Sequence, residues 1–173
     1  MNTPGAVAID QVAKNITDFM NIYCGSIVTT GVGKSGHVAL NVASTFSTLG
    51  VPAVFIHAED ALHGELGFIT GEEVVIAFSA SGATGQTVSF THTARERGCL
   101  TVAVIGIYRA LGTVAECVLM TTLGPGADEW VVPTASLVAQ LAVGHALAVA
   151  VAEQRGTGDV SVNHPGGYIG GQR

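Results

Sequence analysis

The stretch SIVTTGVGKSGHVALNVASTFSTL, residues 26–49, carries three local instructions in succession. Ser26–Thr30 is a short β-branched run, the composition of a buried strand. Gly31-Val-Gly-Lys-Ser-Gly36 is a glycine-rich turn, and His37–Leu49 brings apolar residues back at helical spacing. A strand passing through a glycine turn into a helix is half of a βαβ crossover, the connection that parallel strands require.

The same unit recurs downstream. Pro52–His57 reads as a second strand and Glu73–Phe78 as a third, which runs into the hydroxyl-rich turn Ser79-Ala-Ser-Gly-Ala-Thr-Gly85. A helix follows to Arg97, with Gly98 as its C-terminal cap. Leu100–Ile105 is a fourth strand, Cys117–Met120 a fifth, and Thr134–Gln154 a last long helix stopped near Gly156. Upstream, Ile9, Val12, Ala13, Ile16, Phe19, Met20 and Tyr23 mark an amphipathic leading helix within residues 1–24. Near-continuous apolar strands alternating with helices predict a sheet buried on both faces. The expected fold is a three-layer α/β/α sandwich around a five-stranded parallel sheet, flavodoxin-like or Rossmann-like in class. One domain over residues 1–173 is expected, with a glycine-rich tail at 156–173 that carries His164; Gly166–Gly171 is expected to lack regular structure.

Hydrophobic residues make up 48% of the chain and charged residues only 12%, against about 25% in an average domain. So much apolar surface predicts burial between copies of the chain, as a dimer or tetramer. A net charge of −6 with seven Lys and Arg excludes a nucleic-acid partner, because a polyanion needs clustered cations. Cys24, Cys99 and Cys117 have no metal-ligand spacing and read as core residues in a reducing cytoplasm. No secretory leader is expected at the N-terminus. Val131–Ala152 is uncharged over a span that could cross a bilayer, but alanine dominates it and Gln140 and His145 interrupt it. A buried or interface helix is the expectation, with no membrane contact.

Two turns carry candidate chemistry. Gly31–Gly36 matches G-x-G-x-x-G, and Glu59 and Asp60 follow the second strand where a ribose-binding acid would stand, so a dinucleotide site is one alternative. Val28 occupies the position where a Walker A loop needs its first glycine. In the second turn, the hydroxyls of Ser79, Ser81 and Thr84 stand beside free N–H groups at a helix start, which suits a phosphate monoester without a metal. Three hydroxyls in six residues exceed what one helix cap uses.

GVGKSGH (31–37), LGVPAVFIH (49–57), LHGELG (62–67), SASG (79–82) and NHPGG (163–167) together resemble the arabinose-5-phosphate isomerase group of SIS-domain proteins. The resemblance runs from about Ser26 onward. It implies a sugar-phosphate substrate, no cofactor, no metal, and dimeric or tetrameric assembly in which His164 serves a neighbouring copy's pocket. The sequence stops where many of that group continue into paired CBS domains, so no nucleotide-sensing module is expected within these residues. Carried over position by position, the resemblance makes Lys34, His63 and His164 catalytic. Glu65 stands where the group has Asp, and phosphate or substrate binding falls to Gly33, Ser35, Ser79, Ser81, Gly82, Thr84 and Gln86.

Two carboxylates of that group do not carry over. One falls on Gln86 and the other near Pro125, with Asp128 and Glu129 close by. Neutral Gln86 cannot be the base that moves a proton between C1 and C2 of a sugar. Among the retained residues, His63 and His164 suit ring opening or proton transfer because imidazole titrates near neutrality, and Lys34 suits the charge of an enediolate. His57, Glu59, His63 and Glu65 match no metal-ligand spacing. The expected function is an aldose–ketose sugar-phosphate isomerase; the alternatives are a non-catalytic sugar-phosphate-binding module and an NAD-dependent oxidoreductase.

Overall fold

The structure is a computed structural model that describes residues 4–121, 123, 128, 132–157, 160–168 and 171, with residues 4–7 given by backbone alone. Five parallel strands form one sheet: β1 (Ile27–Thr30), β2 (Ala53–Phe55), β3 (Val74–Ser79), β4 (Leu100–Ile105) and β5 (Cys117–Met120), in the spatial order β2-β1-β3-β4-β5. Every residue of β1 and β3 is buried, as parallel strands covered on both faces require. Alternation along β3 divides the core between the two sides of the sheet. Val74, Ile76 and Phe78 pack with α1 (Pro4–Tyr23), α2 (Gly33–Thr48) and α6 (Ala135–Arg155). Val75 and Ala77 pack with α3 (Ala58–Leu62), α4 (Gly85–Glu96) and α5 (Ala110–Val114). The expected α/β/α sandwich is therefore what the chain forms.

Local differences from the sequence reading have physical reasons. Helix α2 begins at Gly33, not His37, so Lys34 and Ser35 lie in its first turn. The glycine turn and the helix start are one feature. Helices α3 and α5, five residues each, and a 3-10 turn at Glu65–Phe68 are additions to that reading; they are too short for an apolar period to show. Gly98 closes α4 as expected: its N–H donates to the Arg95 carbonyl and Cys99 N–H to Ala94, the paired bonds of a Schellman cap. A 3-10 turn at Val160–Asn163 gives the tail some order just before His164.

The apolar helix α6 is a layer of the sandwich. Gly144, Leu147, Ala148, Val151 and Ala152 are buried along it. A Cβ on Gly144 would stand 2.5 Å from Val42 Cγ2 and 3.3 Å from the Phe78 ring, so glycine there sets how closely α6 approaches α2 and the sheet.

Ahead of β3, the Glu73 carboxylate closes a turn by accepting Thr70 N–H at 2.9 Å, Thr70 Oγ1–H at 2.7 Å and Gly71 N–H at 3.1 Å. Burial pulls its pKa up, but these bonds outweigh burial and hold it below the ordinary value. Burial, and then the charge of Glu73, push the Cys99 thiol up to about 11, so that cysteine is an inert core residue. Because the folded-state pKa of Glu73 is depressed, its stabilisation is full above the unfolded value of 4.5 and is lost as pH falls through the folded one. Glu73→Gln is expected to cost about 1.5–3 kcal/mol at pH 7 in denaturant unfolding, with the gap to the parent narrowing below about pH 4.

Candidate functional site

The sheet order creates the site. From β1 the chain leaves through α2 on one face, forms β2 at the edge, then crosses back to β3 and leaves through α4 on the other face. β1 and β3 are paired, with Thr30 opposite Ala77, yet their following helices diverge. Such a switch point leaves a crevice at the carboxyl edge of the sheet, where ligands of open α/β sheets bind. The two turns that flank it touch: a Cβ on Gly31 would stand 3.0 Å from the Phe78 carbonyl.

The second turn is preorganised by its own hydroxyls. Ser79 Oγ accepts Gly82 N–H at 3.1 Å and stands 3.0 Å from Thr84 Oγ1 and 3.4 Å from Ser81 Oγ. Ser81 Oγ accepts Ala83 N–H at 3.2 Å. Thr84 caps α4 with extended backbone, so the first N–H groups of that helix face the turn with the positive end of its dipole. Gly82 sits at φ 63, and a Cβ there would lie 2.2 Å from the Ile107 carbonyl. Only glycine allows the turn to pass this close to the segment after β4. Hydroxyls, N–H groups and a helix start converging on one point can hold a phosphoryl group.

Across the crevice, Gly33, Lys34 and Ser35 form the first turn of α2. Lys34 is exposed, and Ser35 Oγ donates to Gln140 Oε1 at 3.1 Å. Thr29 Oγ1 donates to the Ala39 carbonyl at 2.8 Å, tying β1 to α2. Gln86 lies in the first turn of α4, next to the hydroxyl turn. The structure thus brings Gly33, Lys34, Ser35, Ser79, Ser81, Gly82, Thr84 and Gln86 to one edge.

Of the remaining candidates, His57 reaches this edge, its Cδ2 3.7 Å from where a Cβ on Gly36 would stand, whereas His63, Glu65 and His164 make no hydrogen bond to these residues among the described ones. His63 ends α3, its side chain 76% exposed and 3.9 Å from Glu59. Glu65 begins the exposed 3-10 turn beyond it. His57 caps α3, its Nδ1 accepting Glu59 N–H at 3.3 Å. His164 lies at the opposite edge of the sheet: Asn163 Nδ2 beside it donates to the Thr48 carbonyl at the end of α2, and His164 Nδ1 is 2.9 Å from the Val160 carbonyl. The helix α2 puts roughly 21 Å, at 1.5 Å per residue, between Lys34 and that end. Among the described residues, no group of three or more His, Cys, Asp or Glu is placed to hold a metal ion. Pro125 and Glu129 lie outside the described residues.

Sequence reasoning missed two neighbours of the site. Gln140 is fully buried beneath Ser35, and its Nε2 has no partner among the described residues. Gln140, which with His145 interrupts the apolar run 131–152, was the available signal. Beside Ser81 a cleft of about 350 Å³ runs between the ends of β4 and β5 and the start of α6, with Gly106, Ile107, Thr121 and Asp128 in its wall. Asp128 Oδ1 accepts the N–H groups of Thr134 at 2.9 Å and Ser136 at 3.2 Å. The Ser136 hydroxyl and these N–H groups hold its pKa below the ordinary carboxylate value.

The SIS domain pattern matches residues 22–150. The chain belongs to the SIS domain family. It is 37% identical to the arabinose 5-phosphate isomerase KdsD of Pseudomonas aeruginosa, over 94% of this chain and 53% of that one. It is 35% identical to KdsD of Yersinia pestis, over 84% and 46%. This SIS-domain chain spans about half the length of the curated relatives it matches. Among solved structures, it resembles the E. coli CFT073 protein c3406, solved in complex with arabinose 5-phosphate, at a TM-score of 0.74 and 27% identity, covering 93% of this chain and 92% of that one. A Bacteroides fragilis protein, a candidate phosphosugar isomerase of capsule formation, superposes at a TM-score of 0.81 and 27% identity, covering 93% and 87%.

The hydroxyl turn can be tested apart from any turnover. Gly82→Ala introduces both the strained φ and the clash with Ile107, and is expected to cost roughly 1–3 kcal/mol of stability. Calorimetric titration with inorganic phosphate should show binding to the parent chain and none to the folded variant.

Proposed function

We propose that this SIS-domain chain is an aldose–ketose sugar-phosphate isomerase acting on arabinose 5-phosphate and ribulose 5-phosphate or a close analogue. The observation that carries the reading is the hydroxyl turn at the start of α4, set across the crevice from Lys34. It is supported by membership of a family whose relatives over most of this chain are named arabinose 5-phosphate isomerases. A related protein of matching length was solved with arabinose 5-phosphate.

In this reading the turn grips the phosphoryl group and leaves the sugar carbons beneath the Lys34 ammonium. The proton on C2 of the open-chain aldose is removed as O1 gains one, which gives a 1,2-enediol. Delivery of a proton to C1 with loss of the O2 proton gives the ketose. Lys34 stabilises the oxyanion that develops between these steps. Gln86 has no proton-accepting group, so the proton is moved by the imidazoles of His63 and His164 and by Glu65. Because His164 sits at the far edge of its own sheet, a neighbouring copy supplies it, and the working unit is an oligomer. The apolar residues on the outer face of α2 and α6 suit such packing: Val138 is 67% exposed, Leu40 52% and Val149 45%.

One observation favours a second reading. With neutral Gln86 in place of a carboxylate, the chain would bind sugar phosphates without turning them over. The two readings separate in proton-exchange NMR of arabinose 5-phosphate and ribulose 5-phosphate in D₂O. An isomerase incorporates deuterium at the exchanging carbon; a binding module raises the melting temperature with no exchange. For the isomerase, Lys34→Ala is expected to lower exchange by about 100-fold or more, the scale seen for loss of one oxyanion-stabilising group. Lys34→Ala and His164→Ala, each inactive alone, are expected to recover up to roughly a quarter of parental activity when mixed and reassociated, the share set by random pairing in a two-fold dimer.

A further inference from the structure

Strand β2 delivers a histidine ring to the crevice edge. Ala53 and Phe55 turn their side chains to the α2 face of the sheet, and His57 continues that alternation two residues on. The ladder with β1 runs past the end of the strand: Ile56 N–H donates to the Thr29 carbonyl at 3.0 Å and Ala58 N–H to the Gly31 carbonyl at 3.5 Å, so His57 stands beside the glycine turn. Its ring meets the Phe55 ring edge to face, with centroids 6.2 Å apart, and its Cδ2 lies 3.7 Å from where a Cβ on Gly36 would be. Gly36 and Lys34 share the first turn of α2.

The hydrogen bond at the ring fixes its tautomer. Nδ1 accepts Glu59 N–H at 3.3 Å, and a backbone N–H can only donate, so the Nδ1 lone pair is engaged and the neutral ring carries its proton on Nε2. Nε2 has no hydrogen-bond partner among the described residues. The half-buried ring therefore offers the crevice an N–H donor and no free lone pair. Such a ring cannot take a proton from carbon, the task that falls to His63, His164 and Glu65 in the isomerase reading, but it suits an oxygen that gains negative charge. Capping α3 does not by itself call for an imidazole, since Ser, Thr, Asp and Asn accept the same N–H with fewer atoms.

We propose that His57 is a catalytic residue of the phosphosugar site: its Nε2–H donates a hydrogen bond to the carbonyl oxygen of the open-chain sugar and, together with the Lys34 ammonium, holds that oxygen as enediolate charge develops on it. The proposal rests on the isomerase reading above and deepens it. The proton stays on Nε2 throughout, so the 1,2-enediol path keeps its balance of protons, and the donor matches the negative charge that the path places on oxygen.

Proton-exchange NMR of arabinose 5-phosphate in D₂O, with calorimetric titration of the same ligand, separates this role from capping in the full chain. In His57→Asn the short amide reaches the Nδ1 position, so its oxygen still accepts Glu59 N–H, and nothing reaches the Nε2 position. In His57→Gln the longer amide brings an N–H to the Nε2 position. His57→Asn is expected to lower exchange about 100-fold, the scale for one oxyanion donor, with affinity for arabinose 5-phosphate within about threefold of the parent; His57→Gln is expected to keep exchange within about tenfold. Exchange by His57→Asn equal to the parent's, or a loss in His57→Gln at least as large as in His57→Asn, overturns the proposal and leaves the isomerase reading standing. Mixing variants adds a readout that a general loss of stability does not imitate. Under conditions where Lys34→Ala and His164→Ala recover activity together, His57→Asn is expected to recover none with Lys34→Ala, because both act in one copy's crevice, and up to roughly a quarter of parental exchange with His164→Ala. Recovery with Lys34→Ala, or none with His164→Ala, overturns the proposal. A parent chain that shows no exchange overturns the isomerase reading and this proposal together.

Discussion

The parallel pairing of β1 with β3 is the constraint on which the rest depends. Because the two strands run the same way, their following turns arrive at the same edge; because their helices leave on opposite faces, the turns are not covered by either. The ladder fixes the register, Thr30 opposite Ala77, and so fixes Gly31 against the last carbonyls of β3. A one-residue slip would turn every side chain of β1 to the other face and take Thr29 away from its bond to α2. The site is therefore specified by sheet geometry before any functional side chain is considered.

That geometry explains the composition. A sheet covered on both faces uses apolar residues at most strand positions, and α6 must be small-sided to approach it, as Gly144 against Val42 and Phe78 demonstrates. Charges are confined to helix exteriors and loops, where pairs such as Lys14 with Asp18 at 2.6 Å contribute little in water. Some of the buried polar groups have specific partners: Glu73 closes a turn, Thr29 ties a helix to a strand, and Gln140 supports Ser35.

The strands, the long helices and both turns were legible because their signals are local: β-branched runs, helical periods, glycines at strand ends. The hydroxyl turn was readable as a candidate site because three hydroxyls in six residues exceed a capping requirement. What Gly82 does was not readable, since its reason is a carbonyl of Ile107, twenty-five residues away in the chain. The cleft was hidden for the same reason: Thr121 and Asp128 meet Ser81 only after β4 and β5 are laid beside β3. The family motifs named His63 and His164 but carried no information on which edge each occupies. That follows from the direction of α2, which starts at the crevice and ends where Asn163 is anchored.

On the proposed function, gripping a phosphate and moving a proton make different demands on this chain. The proposed grip would fall to the start of α4 and to hydroxyls held in place by the turn's own bonds, Gly82 N–H to Ser79 Oγ and Ala83 N–H to Ser81 Oγ, all within one copy of the fold. Proton transfer needs a titratable group within about 3 Å of a carbon, and in one copy the nearest residue to the cradle on α4, Gln86, has none. In the proposed isomerase other side chains would supply it; His63 stands exposed at the end of α3 and His164 lies at the far edge of the sheet. In the proposed isomerase, assembly would be the step that adds proton-transfer groups to the edge that carries the hydroxyl turn. In such a protein, substitutions in the hydroxyl turn would act on affinity, whereas substitutions on the outer faces of α2 and α6 would act on turnover without touching a ligand.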